Sequence, residues 1–142
     1  MASIIYNSLL RDLCTGAVDL DTVHGDSFKC ILVTSSYAAS KSHAKRFDLT
    51  NEVVGSGYTA GGNVATPTVA AVNNTSNLQD TTWVITAWTT STITARGAVI
   101  YKARGGASSA DELVGYLDFI TDQVSSGGTF TVTVNTPLRF QN

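Results

Sequence analysis

From residue 63 onward the chain is almost entirely strand-forming, and this constrains its fold more than any other feature. Phe130, Val132 and Val134 alternate with Thr129, Thr131 and Thr133. Period two with threonine on the wet side marks a half-buried antiparallel strand. Further candidates are Thr66 to Val72, Thr81 to Thr86, Ser91 to Thr94, Ala98 to Ala103 and Leu113 to Phe119. Asn73-Asn74, Gly105-Gly106 and Gly127-Gly128 supply turn residues between them. Short strands at this spacing, joined by tight turns, predict an antiparallel β-sandwich or distorted barrel.

The first part of the chain adds a helix and a central strand. Tyr6, Leu9, Leu10, Leu13 and Cys14 share one helical face. Ser3 is a candidate cap for this short N-terminal helix, and Gly16 can end it in the left-handed conformation. Phe28 to Ser35 reads as a strand covered on both faces, because Ile31, Leu32 and Val33 are consecutive. Ser42 is placed to cap one helical turn in the basic segment 36–48. Leu9, Leu13, Phe28, Leu32, Ile100, Leu117, Phe119, Phe130 and Val132 form the expected core. At 142 residues, the expectation is one mainly-β domain over 1–142 that needs no metal or disulfide to hold its core.

Composition narrows the function. Charged residues make up only 14% of the chain and hydrophobic ones 43%. Such a weakly charged, Thr- and Ser-rich surface suits contact with other protein over large areas, and equally a secreted binding module. The nine Lys and Arg are scattered and the net charge is −2, so no basic face for nucleic acid is expected. No apolar run approaches the roughly 20 residues of a membrane span. Met1 to Tyr6 lacks the pattern of a signal peptide, so the expectation is a chain that folds in the cytosol or leaves it by lysis.

Catalytic and metal signatures are weak. His24 lies near Asp19, Asp21 and Asp26, but Val23 and Gly25 interrupt any alternating ligand series, and an exposed acidic turn is the simpler reading. His43 has no nucleophile motif beside it. Gly55-Ser56-Gly57 lacks the spacing of a nucleophile elbow, and no Walker lysine accompanies the glycines around Tyr58. Gly61-Gly62 is expected to provide positive φ or a close backbone approach. A sugar hydrolase would need two carboxylates facing each other across a cleft. Most of the eleven acids lie instead in the connector 17–26 or at strand ends. No catalytic residue, metal site or cofactor is therefore expected.

Cys14 and Cys30 both fall on predicted inward faces. They are either free thiols, which a cytosolic compartment favours, or a disulfide between the helix and the first long strand. Trp83, Trp88, Tyr58 and Tyr101 are read as core or subunit-interface aromatics, with a sugar-binding platform as the rival.

Three stretches resemble a family of small tailed-phage virion proteins. They are Tyr6-Asn7-Ser8 with Asp19-Leu20-Asp21-Thr22 and Leu32 to Tyr37; Thr50-Asn51-Glu52-Val53 with Gly55 to Gly62; and Thr92 to Lys102. Gly115 to Phe119 and Gly128 to Val132 extend the likeness over most of the chain. Val23-His24-Gly25 and Ala107 to Ala110 depart from the pattern. The resemblance implies a non-catalytic structural protein, and within it a capsid decoration (cement) protein. Such a protein would be assembled in the host cytoplasm, sit on the outer capsid surface, and bind the major capsid protein as a homotrimer. A tail- or head-fibre module that binds a host receptor or glycan is the alternative. Ala2, Ser3, Ile4, Ile5 and Tyr6, as an arm reaching a neighbour, and Trp83 and Trp88 are the expected contacts.

Overall fold

A computed structural model describes residues 3–21 and 23–141. The elements in chain order are β1 (Ile4–Ile5), α1 (Ser8–Cys14), β2 (Phe28–Val33), β3 (Asn63–Val69), β4 (Leu78–Ile85), β5 (Trp88–Lys102), β6 (Leu113–Phe130) and β7 (Leu138–Gln141), with a 3-10 turn at Arg46–Asp48. The fold is mainly β. All seven strands join one antiparallel sheet in the order β1-β6-β5-β2-β3-β4-β7. A flat sheet of seven strands would be about 29 Å across. Here the chain just past β6 returns to β4 through a bridge between Thr133 and Val84, so the sheet curls.

The concave side holds the main core. Phe28, Leu32, Trp83, Trp88, Ile100 and Phe130 meet there with Leu9 of α1. Every expected core residue belongs to this cluster, with Leu13, Leu117 and Phe119 at its partly buried margin. The two-sided burial expected of β2 is present. Cys30 and Leu32 point into this cluster, while Ile31 and Val33 belong to a second one with Tyr6, Tyr37, Val99 and Tyr116 on the opposite face. The segment 34–49 supplies the cover there, through Tyr37, Ala39 and Leu49.

Several boundaries differ from expectation. The strands expected at Ser91 to Thr94 and Ala98 to Ala103 are one continuous β5. Gly127-Gly128 does not break β6, because Gly128 pairs with Ser91 and the Gly127 N–H donates to Thr92 Oγ1. The regular strand ends at Phe130, earlier than the alternation suggests. The helix begins at Ser8 with Asn7 as its N-cap, and the Ser3 hydroxyl instead accepts the Asp118 N–H. Gly16 ends the helix at φ 72°, as anticipated. Ser42 caps nothing: Lys45 starts the 3-10 turn, with Asp48 accepting from the Lys45 N–H.

Candidate functional site

The Gly-rich loop shows why the chain places glutamate, tyrosine and two glycines there. The Glu52 carboxylate accepts the Tyr58 hydroxyl at 2.7 Å and the Gly61 N–H at 2.7 Å. The same Tyr58 hydroxyl accepts the Leu32 N–H at 3.2 Å, which fastens the loop to β2. Burial, and then the bond to Glu52, push the Tyr58 hydroxyl well above its ordinary range, so it stays protonated. Gly62 has φ 73°, and a Cβ there would collide with the Cys30 carbonyl. These contacts lie within the chain and hold the fold together.

A polar network closes one end of the sheet. Glu112 accepts from Lys45 at 2.9 Å and from Arg104 at 2.9 Å, and its side chain is only 5% exposed. Burial alone would raise its carboxyl, but the Arg104 and Lys45 bonds outweigh that and hold it at about 2. Arg46 pairs with Asp111 at 2.8 Å, and Lys102 with Asp26 at 2.8 Å. Each of these three carboxylates faces a cation.

The histidines take structural places. His24 makes an exposed 3.2 Å contact with Asp21, and the neighbouring carboxylates accept backbone amides: Asp19 from Asp21, Asp21 from Val23, and Asp26 from Asp19. Among the described residues no cluster of His, Cys, Asp or Glu is arranged to hold a metal ion. His43 Nδ1 lies 3.0 Å from the Tyr37 hydroxyl, which in turn contacts the Tyr6 hydroxyl at 2.9 Å.

The expected contact residues divide. Ala2 lies outside the described residues. Ser3 and Ile5 are exposed and Ile4 half-buried. Ile4 and Ile5 are not a free arm: they pair with Tyr116 and Gly115 of β6 as the sheet's own edge strand. Tyr6 is wholly buried in the second core. Trp83 stands edge-on to Phe28 at 5.3 Å, and Trp88 stacks on Tyr58 at 6.0 Å, both inside the main core. Neither tryptophan is a surface contact of this chain, and with Tyr101 also buried the four aromatics form no open platform. Cys14 is exposed, against the inward face expected for it, while Cys30 is buried; both are free thiols.

No family model matches the chain, no curated protein matches it, and no solved structure matches it. Among the described residues no helix is long and apolar enough to cross a membrane.

Two surfaces among the described residues are open to a partner. The convex side of β3 and β4 exposes Val64, Thr66 and Thr68 beside Thr82, Val84 and Thr86. None of these six is charged; Lys29 of β2 stands opposite Val64 at one margin, and at the other Asp80 and Arg139 pair at 2.7 Å. The second surface is an apolar groove of about 560 Å³ between the β1–β6 edge and residues 133–138, bordered by Ile4, Ile5, Phe119, Val134 and Pro137, with Lys41 on its lip. The period-two alternation in β3 and β4 carried the signal for the first surface. The groove depends on how distant segments meet, and no local pattern announces it.

Proposed function

We propose that this chain is a non-catalytic structural protein of a tailed-phage virion that decorates the assembled capsid shell. The observation that carries this reading is the uncharged convex face of β3 and β4. The segment 34–49 covers the same side of β2, but here Val64, Thr66, Thr68, Thr82 and Val84 stand open. Desolvating threonine and valine costs far less than desolvating lysine or glutamate, so the face suits association with protein. Its partner in this reading is the major capsid protein on the outer shell, approached by a homotrimer whose linked contacts raise avidity. Binding only the assembled shell stabilises it by mass action.

The sequence resemblance points the same way. The pairing of carboxylates with cations supports a role without catalysis. The fibre-borne glycan-binding alternative loses its aromatic platform, because Trp83, Trp88 and Tyr101 face inward. The deciding experiment adds the purified chain to phage shells that lack it. Saturable binding and a higher shell melting temperature are expected. Absence of binding, with the native protein located on a tail or fibre, overturns the reading.

A further inference from the structure

The pairing of β5 with β6 contains a bulge whose backbone is unusual. Between Ala95 and Gly97 on β5 a single residue intervenes, whereas between their partners Gln123 and Asp118 on β6 the whole stretch 119–122 intervenes. Ile120 sits in this bulge at φ 70° and is 75% exposed. A β-branched residue rarely adopts the left-handed conformation, and this one also turns an apolar side chain to water beside a charged residue. The bulge is built to last. Asp118, its side chain 1% exposed, accepts from Arg96 at 2.9 Å and from the Ile120 N–H at 2.9 Å. The result is a rigid apolar knob with the exposed carboxylate of Asp122 beside it.

The same chain carries a receptor for such a knob. The apolar groove beside β1 has room for a side chain of this size, and its lip bears the exposed ammonium of Lys41. Lys41 has no ion pair among the described residues, and Asp122, whose charge acts on Arg96 from a distance, makes none within 4 Å. We propose that the chain self-associates by seating Ile120 of one copy in the groove of a second copy, with Asp122 reaching Lys41 on its lip. Apolar knob to apolar groove and carboxylate to ammonium make the two patches complementary in shape and charge. Such a contact closes as a reciprocal pair or as a ring. The inference deepens the decoration reading, on which its ring form rests, by naming the surface that would join the subunits.

Sedimentation equilibrium of the full chain over a concentration series tests it. The expected result is a closed oligomer that dissociates on dilution. Asp122→Lys and Lys41→Asp should each weaken association at least tenfold, and the double exchange should restore it. Ile120→Gly relieves the left-handed backbone, so it should keep or raise the unfolding midpoint while lowering association. A single-chain mass at every concentration overturns the proposal, as does an oligomer indifferent to all these changes. A monomer that still adds to shells removes this inference alone. An oligomer joined in this way that binds no shell leaves it standing and removes the decoration reading.

Discussion

Gly61 and Gly62 are neighbours with positive φ, yet the surroundings of the two differ. A Cβ on Gly61 would meet only the Tyr101 hydroxyl at an ordinary 3.6 Å, whereas one on Gly62 would strike the Cys30 carbonyl and come within 2.9 Å of Ile31 Cα. Gly61→Ala is expected to cost roughly 1–2 kcal/mol, the strain of a left-handed L-residue. Gly62→Val must displace the central strand β2 and should abolish cooperative unfolding in a urea titration. Equal, mild effects at both sites would contradict this account. Tyr58→Phe removes the donor to Glu52 and the acceptor for Leu32 together. A loss of about 1–3 kcal/mol is expected for the groups left unpaired. The glycine pair was readable in the sequence because glycine has few other reasons to be doubled beside a strand. The inward position of Trp83 and Trp88 was not, because a large aromatic fits a core and an interface equally well. Ile120 gave no sign at all, since nothing in Phe119-Ile120-Thr121 carries the glycine or asparagine that usually marks a left-handed residue.

Among the elements, the polar network around Glu112 ties the start of β6 to Arg104 and to the segment before the 3-10 turn. Its carboxyl titrates at about 2 when folded, against an ordinary 4.5. A depressed folded value means the stabilisation is complete above the ordinary value and is lost as pH falls through the folded one. Stability of the wild-type chain should therefore decline between about pH 4.5 and 2, and Glu112→Gln should flatten that part of the profile. At neutral pH the same substitution keeps an acceptor oxygen but removes the charge facing Lys45 and Arg104, both part-exposed, and should cost about 1–2 kcal/mol. Deleting residues 2–5 removes β1 and the Ser3 bond to Asp118. The domain should still fold, with a loss of about 2 kcal/mol for a few ladder bonds. Thermal melts would reveal any larger collapse. β2 was legible from its consecutive apolar residues and β3 and β4 from their strand-forming composition, whereas the clean alternation from Thr129 to Val134 runs past the end of β6. The joining of short strands into β5 and β6 was not, because glycines that normally end strands here occupy irregular pairings within a ribbon. β7 is only four residues long, follows Pro137 and carries Arg139, so it offered too little pattern to find.

For the whole molecule, the uncharged convex face makes two demands on shell binding. Affinity should change little from low to near-molar salt, because few exposed ion pairs are available to be screened. Thr82→Arg or Val84→Glu, both on the exposed side of β4, should abolish decoration while leaving the unfolding midpoint within about 0.5 kcal/mol of wild type in stability. Steep salt dependence, or normal decoration by both variants, would exclude this face as the contact. The order of the sheet also has a consequence for synthesis. β2 is apolar on both sides and lies between β3 and β5, but β5 is completed only about 70 residues after β2. On a ribosome adding about 5–20 residues per second, that strand waits roughly 4–14 s with one edge unpaired. A translational pause between the β2 and β5 codons should thus lower soluble yield more than the same pause placed after β5, with chaperones bridging the difference.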